Sequence, residues 1–356
     1  MEKLLITGGA GFIGANFTRY WSDRYPQDRL VVLDALTYAG NLANLDDLQN
    51  LKPFRFVHGS IGDQDLVETL LRTEEITTLV HFAAESHVDR SIVGPDAFID
   101  TNIVGTHSLL KAAKKVWLDE QKGLLPRRFH HVSTDEVYGS LQPTDPPFTE
   151  THPYRPNSPY AASKAASDHL VRAYHHTYGL PVTTSHCSNN YGPYQFPEKL
   201  IPLMIVNILD NQPLPVYGDG LQVRDWLHVE DHCRGIDLIL KQGQPGEVYN
   251  IGGAAEWRNI DIVKMLCQEL DAAFARDETL QHRYPKGLLV ARQRAVELLS
   301  FVTDRLGHDR RYAIDATKIA RDIQFLPQET FLTGIRKTMA WYLEHESWWR
   351  ALQRHP

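Results

Sequence analysis

Asp135 and Glu136 are adjacent acids at the end of an apolar run, in the stretch FHHVSTDEVYG from Phe129 to Gly139. Two neighbouring carboxyls can divide general-acid and general-base work when their surroundings push their pKa values apart. Further on, NSPYAASK from Asn157 to Lys164 spaces Tyr160 and Lys164 i and i+4. On a helix that spacing puts a phenol and an ammonium on one face, where the cation favours the ionised phenol. An unperturbed tyrosine has a pKa of about 10, so bringing it toward neutrality takes roughly 4 kcal/mol of differential stabilisation. Such a pair is a general base for oxidising a hydroxyl. Each motif also has a bland alternative, a solvated turn for the acids and a helix-surface pair for Tyr160 and Lys164, so the context must decide.

The elements that must position these groups can be read in order. Lys3–Thr7 predicts a strand, and the glycines Gly8, Gly11 and Gly14 of GGAGFIG open a helix toward Tyr20. Their spacing allows a tight turn, close backbone approach to a pyrophosphate, and a helix N-terminus aimed at its charge. The next strand, Leu30–Leu33, ends in Asp34 about 20 residues past the last glycine, where an acid hydrogen-bonds an adenosine ribose and favours NAD over NADP. Phe54–Val57 with a helix over Gln64–Leu71, then Thr78–His81 with a polar loop Ala83–Arg90, continue the βα alternation. The expected fold is therefore α/β, a Rossmann-type doubly wound parallel sheet with a smaller C-terminal α/β substrate-binding domain.

A helix is expected over Val104–Trp117, a solvated basic stretch over Gly123–Arg128, and a buried strand over Phe129–Val132. Ser133, Thr134, Asp135 and Glu136 should then face a ligand in the crevice beyond the carboxyl ends of the strands. Leu141–Asn157, rich in proline, should be a surface excursion able to act as a lid. Ser158 is the expected N-cap and Pro159 the first helical residue of the helix carrying Tyr160 and Lys164. Val182–His186 predicts a strand, and the chain becomes loop-rich from Asn189. Helices follow at Leu203–Leu209, Ile260–Leu270 and Phe331–Glu344, with Val248–Ile251 as a strand rejoining the sheet. Residues 1–190, with 226–256 returning to them, form the expected NAD-binding domain, and 191–225 with 257–356 the substrate domain. Lys199, Arg224, Arg305 and His308 are read in loops of that second half, suited to gripping a diphosphate.

Composition narrows the class. The chain has 356 residues, 42% hydrophobic and 23% charged, and its net charge of -7 gives no reason to expect a nucleic-acid partner. Three cysteines lack any CxxC or metal-like spacing, which fits a reducing, cytoplasmic setting. No window reaches about 18 apolar residues, so no membrane span or signal peptide is expected. The 17 histidines form no HExxH or comparable ligand set, and no metal is expected.

The motifs TGGAGFIG, DALTYAGN, HFAAESHVDRSI, TNIVGT, STDEVYG, YAASKA, NNYGPYQFPEKLIP, YGDGLQVRDWLHVEDH and DRLGHDRRYAID occur in this order over nearly the whole length. In them the chain resembles the extended short-chain dehydrogenase/reductases, and within these the dTDP-glucose 4,6-dehydratase family. The resemblance implies catalytic roles for Thr134, Asp135, Glu136, Tyr160 and Lys164. It implies NAD contacts at Gly8, Gly11, Phe12, Ile13, Gly14, Asp34, Thr37, Ser60, Ile61 and Ala83, besides Tyr160 and Lys164. It implies that Ser86, Asn189, Glu198, Lys199, Leu200, Pro215, Tyr217, Arg224, Asn259, Arg305 and His308, with Thr134, hold a nucleotide diphosphate sugar.

In the chemistry so implied, Tyr160 removes the hydroxyl proton at carbon 4 of the glucose as hydride passes to NAD. Glu136 takes the acidified proton on carbon 5, Asp135 protonates the departing carbon 6 hydroxyl, and hydride returns to carbon 6. Two departures stand out: Ser60-Ile61 replaces a usual Asp-Ile pair that reaches the adenine, and Leu306 replaces a usual proline, which should loosen the loop of Arg305 and His308. The resemblance also suggests a homodimer through helices corresponding to 104–117 and 160–178. A 4-epimerase or decarboxylase of the same superfamily, and a non-catalytic NAD-binding sensor, are the rival readings.

Overall fold

The computed structural model describes residues 1–122, 125–285 and 294–353, so Gly123 and Leu124 of the basic stretch lie outside it. The first half alternates as the sequence suggests: β1 (Lys3–Thr7), α1 (Phe12–Arg24), β2 (Arg29–Asp34), β3 (Phe54–His58), α2 (Gln64–Thr73) and β4 (Thr78–His81). Short helices α3 (Val88–Val93) and α4 (Asp96–Phe98) lead through a wide i→i+5 turn, Ile99–Gly105, into α5 (Thr106–Ala113) and a second such turn, Lys114–Glu120. The helix expected from Val104 thus belongs to a longer helical run. Widening at Gly105 seats its backbone on Ile61, whose side chain a Cβ there would meet at 2.7 Å.

β5 (Arg128–Thr134) reaches two residues beyond its expected end, and α6 (Pro159–Tyr178) starts on the expected cap, with Ala161 N donating to Ser158 Oγ at 3.1 Å. Gly179 stops that helix with φ +73°, a left-handed conformation that favours glycine. There follow β6 (Val182–Cys187), β7 (Asn189–Tyr191), α7 (Leu200–Leu209), β8 (Leu214–Tyr217), β9 (Val223–His228), α8 (Val229–Gln242), β10 (Val248–Ile251) and β11 (Glu256–Arg258). The chain closes with α9 (Asn259–Arg276), α10 (Glu278–Arg283), β12 (Leu299–Val302), α11 (Thr317–Ile323), α12 (Phe331–Glu344) and α13 (Glu346–Gln353).

Seven strands form one parallel sheet in the order β10-β6-β5-β4-β1-β2-β3. The order reverses between β1 and β4, which opens a crevice at their carboxyl ends. Alternate residues of one strand serve opposite faces: Leu4 and Ile6 join Phe17 and Trp21 of α1 and Ile236 of α8. Leu5 instead joins Leu71 of α2, Leu109 of α5 and Val171 of α6. Burying one such side chain is worth about 1.5–3 kcal/mol, so both layers are held firmly to the sheet. A separate core unites Ile205 of α7, Val263 and Leu266 of α9, and Ile335 of α12. It supports two small sheets, β11-β9-β7 and β12-β8.

The excursion over 141–157 is pinned rather than lid-like. Leu141 and Phe148 are buried, Leu141 N donates to Arg311 O, and Phe148 N donates to Ala313 O. Proline content signalled irregular backbone correctly, but the two apolar anchors decide where it lies.

Candidate active site

The glycine loop is built for close approach. Gly8 has φ +70°, and a Cβ there would lie 2.5 Å from Ala83 N, while one on Gly14 would lie 2.2 Å from Gly8 O. The start of α1 carries no side-chain cap, which leaves the N–H groups of Phe12, Ile13 and Gly14 facing the crevice mouth without side-chain acceptors. Asp34 accepts from Ala10 N at 2.9 Å and Leu36 N at 2.8 Å, so it ties the glycine loop to the end of β2. Each oxygen keeps a second lone pair, enough for a ribose hydroxyl. Burial raises the Asp34 pKa, and the two backbone donors pull against it. Cradle, uncapped helix start and acid together fit an NAD molecule.

Thr134 ends β5, and its hydroxyl accepts from Glu136 N at 3.3 Å, capping the short turn Asp135–Tyr138. That turn separates the acids electrically. Asp135 is 2% exposed, and its Oδ2 has no hydrogen-bond partner. Burial, then Glu136 and Asp225, hold its pKa well above the carboxylate range. Glu136 is also raised by burial, but Arg305, Arg224 and Lys199 all favour its charged form. Asp135 is therefore suited to hold a proton and Glu136 to accept one. Ser133 does not face the crevice as expected: it lies within β5, and its hydroxyl donates to Asp168 at 3.0 Å.

Tyr160 and Lys164 sit on consecutive turns of α6 beside this strand end. Lys164 Nζ donates to Val132 O at 2.9 Å, and burial lowers its pKa. The phenol of Tyr160 is pushed well above 10, first by burial and next by Glu136, with the Thr134 hydroxyl working the other way. Lys164 therefore does not depress it as expected: the ammonium is engaged by a backbone carbonyl, and dehydration dominates.

The second wall differs from its expected form. Arg224 is not in a loop but in β9; it is 5% exposed and donates to Val223 O at 2.8 Å and Asp309 O at 2.9 Å, stacked 4.2 Å over Tyr312. Lys199 occupies the residue before α7 without a side-chain cap bond, and its Nζ donates to Ser86 O at 3.3 Å. Glu198 accepts from Tyr38 OH at 3.3 Å and lies 3.5 Å from His87 Nε2, so it faces the loop after Asp34 and Thr37. Arg305 reaches Asp89 at 3.5 Å, leaving Nε without a partner, and His308 Nδ1 pairs with Asp304 at 2.6 Å. Asn189 on β7 and Asn259 at the start of α9 each present a buried Oδ1 with no partner. Pro215 and Tyr217 lie on β8, with the Tyr217 ring edge-on to His308.

Residues 5–338 match the family described as GDP-mannose 4,6 dehydratase. The dTDP-glucose 4,6-dehydratase of Escherichia coli is 50% identical over 98% of this chain and 95% of its own length. That of Xanthomonas campestris pv. campestris (strain B100) is 54% identical over 98% and 95%. This chain belongs to the dTDP-glucose 4,6-dehydratase family. Among solved members, that of Streptomyces venezuelae, with NAD and the ligand TYD bound, has a TM-score of 0.87 and 46% identity, covering 98% of this chain and 99% of that one.

Two departures from the dehydratase pattern now have a structural setting. Ser60 is exposed, and its Oγ accepts from Gly62 N at 3.1 Å, while Ile61 stays buried against Gly105. Leu306 is 78% exposed, yet its loop is tied by Asp304, which accepts from Arg305 N at 2.9 Å and from Gln222 Nε2 at 3.0 Å. Asp168, His186, Tyr38 and Asp304 were not among the residues expected at the site. Asp168 alone carried a local signal, since it repeats the i+4 step beyond Lys164 on α6.

Proposed function

We propose that this chain converts dTDP-glucose to dTDP-4-keto-6-deoxyglucose, a lyase reaction that oxidises carbon 4, removes water across carbons 5 and 6, and reduces carbon 6. The observation that carries this reading is the turn Thr134–Glu136, where two adjacent acids lie beside Tyr160, both raised by burial but only Glu136 countered by three cations, Arg305, Arg224 and Lys199. A 4-epimerase needs Tyr160 and Lys164 but has no elimination for such a pair to serve, and a sensor protein needs none of the four.

When bound, NAD supplies hydride acceptance at carbon 4, hydride return at carbon 6, and a positive ring that favours ionised Tyr160. Gly8, Gly11, Phe12, Ile13, Gly14, Asp34, Thr37, Ser60, Ile61 and Ala83 would hold it. Tyr160 takes the carbon 4 hydroxyl proton, with Thr134 orienting that hydroxyl and Lys164 supplying positive charge on the same helix face. The 4-ketone acidifies carbon 5, whose proton Glu136 accepts. Asp135, kept protonated by burial, donates to the carbon 6 hydroxyl as it leaves. Lys199, Arg224 and Arg305 meet the diphosphate, with Ser86, Asn189, Glu198, Leu200, Pro215, Tyr217, Asn259 and His308 lining the rest. As these cations turn to the diphosphate, their hold on ionised Glu136 weakens and its basicity rises.

In this reading residues 1–190 and 226–256 carry the cofactor, and 191–225 with 257–356 the nucleotide sugar, in a cytoplasmic homodimer. No helix among the described residues is long and apolar enough to cross a membrane. Exposed Val93, Ile99 and Val104, on elements beside α6, supply apolar surface for the dimer. The test is incubation with dTDP-glucose, UDP-glucose and GDP-mannose. A 4-keto-6-deoxy product from the first is expected, with deuterium placed at carbon 4 recovered at carbon 6; a 4-epimer formed without water loss would overturn the reading.

A further inference from the structure

Beneath Lys164 lies a buried polar cluster that the reaction described above does not use. Asp168, one turn along α6 and 4% exposed, accepts from His131 Nε2 at 3.1 Å, Ser133 Oγ at 3.0 Å and His186 Nε2 at 2.9 Å. Those donors stand on β5 and β6, so one carboxylate gathers the helix and both strands.

The protons in this cluster can be counted from a fixed end. Asn250 donates through Nδ2 to Phe148 O at 3.0 Å and Asp315 O at 3.3 Å, so its Oδ1 must face Tyr138. Tyr138 OH spends its single proton on that Oδ1, at 2.9 Å. The 2.7 Å contact between Tyr138 OH and His186 Nδ1 then requires a proton on Nδ1. At its other nitrogen His186 meets Asp168 Oδ2 at 2.9 Å and the Tyr154 hydroxyl at 3.0 Å, so that edge of the ring is shared between two oxygens. The Asp168 carboxyl is held well below the carboxylate range, its histidine hydrogen bonds outweighing the raising effect of burial. His131 differs: its Nδ1 has no partner, and burial pushes its pKa down to about 4, so it donates as a neutral ring. The groups facing His186 are Asp168, Tyr138 and Tyr154, with His131 and Lys164 next to Asp168 and Glu150 beyond Tyr138.

Buried polar contacts of this kind add little net stability over packed apolar groups, but they can fix one register between elements. The register at stake here joins Tyr160 and Lys164 on α6 to Thr134, Asp135 and Glu136 at the end of β5. Val132, whose carbonyl accepts from Lys164, lies between the two β5 residues that Asp168 holds. Resting on the dehydratase reading, we propose that Asp168 is a positioning residue of the reaction, and that its hydrogen bonds to His131, Ser133 and His186 lock the oxidising helix to the eliminating turn.

The experiment uses the NAD-loaded enzyme with 15N-labelled histidine. In the side-chain NMR spectrum of the unsubstituted enzyme the His186 signal, assigned by its loss in His186→Gln, should move in Asp168→Asn, where the ring loses its carboxylate partner. Asp168→Asn should lower kcat roughly 10- to 100-fold through misplacement, while KM for dTDP-glucose stays within about threefold. Should Asp168→Asn fail to melt cooperatively, Ser133→Ala removes one of the three donors and should show the same split at roughly 3- to 10-fold. A His186 signal unmoved in Asp168→Asn, an unchanged kcat in both variants, or a kcat loss matched by loss of folded protein would overturn the proposal. Absence of any 4-keto-6-deoxy product from the unsubstituted enzyme would strike the dehydratase reading instead, and the His186 signal would still decide the contact.

Discussion

The crevice has two walls of unlike construction. One is the end of the large sheet: Thr134, Asp135 and Glu136 follow a central strand, and Tyr160 and Lys164 stand on a 20-residue helix packed against it. The other is assembled from small-sheet strands, helix starts and loops, where Lys199, Arg224 and Arg305 meet backbone carbonyls or loosely placed acids. The sheet wall fixes side chains in relation to one another; on the second wall, which the proposed reading gives to the diphosphate, Arg224 is buried and bonded to two carbonyls, while Lys199 and Arg305 are held only at 3.3 Å and 3.5 Å. Bond-making groups tolerate little displacement, whereas charge attraction to a phosphate falls off gently with distance. In the proposed reaction chemistry and grip would accordingly be divided between the two walls.

That contrast breaks most visibly in the acid turn. Glu136→Gln should lose about 100- to 10,000-fold in turnover while still oxidising carbon 4, seen as reduced-nicotinamide absorbance that builds and persists. Asp135→Asn should lose a similar amount yet keep exchanging the carbon 5 hydrogen with deuterated water, read by mass spectrometry. Identical defects in both exchange and oxidation would mean that the acids do not divide the work.

Acid pH should strain the sheet wall first. Burial pushes His131 to about 4 and His232 to about 3, and drives His81 and His130 well below 6.5. Unfolded, each titrates near 6.5, so below that pH the unfolded chain binds protons the fold refuses. Stability is full above about 6.5 and falls as pH drops toward the folded values, by roughly 1.4 kcal/mol per histidine per unit. Asp135 and Glu136, whose pKa values are raised, work in the opposite sense. Thermal melts at pH 7.5 and 5.5 should differ by roughly 5–10 °C; no difference would mean that these rings are protonated in the fold.

On the second wall, Arg305→Ala should raise KM for dTDP-glucose roughly 10- to 150-fold, the worth of a hydrogen bond to a charged group, with kcat changed only a few-fold. A collapse of kcat at constant KM would transfer Arg305 to the chemical wall. The smallest effect is expected at the cofactor rim: Ser60→Asp should tighten NAD binding about 2- to 10-fold by calorimetry, one added hydrogen bond.

The sheet wall was also the more legible in sequence. β1, the glycine loop, α1 and Asp34 are neighbours along the chain, so their periodicity and spacing carry the geometry. Arg224 misled because a guanidinium in a buried strand contradicts strand composition; its partners, Asp309 and Tyr312, come 85 or more residues later. Asp168 was missed for a related reason: its meaning lies in His131, Ser133 and His186, which are ordinary strand residues until β5, β6 and α6 are packed together. The low pKa expected for Tyr160 failed since helix spacing reports proximity but not dehydration.

The place of β10 at the sheet edge has a consequence for biosynthesis. It pairs with β6 only after about sixty further residues have been made, and it brings the Asn250 amide on which the proton count of His186 depends. At about 5–20 residues per second, β6 waits on the ribosome as an open edge for roughly 3–12 s. A nascent chain arrested before residue 248 should therefore be digested readily by protease near β6, and one arrested far enough beyond 251 for that strand to leave the exit tunnel should resist. Equal digestion of the two arrested chains would show that the edge is guarded by something other than its late-arriving strand.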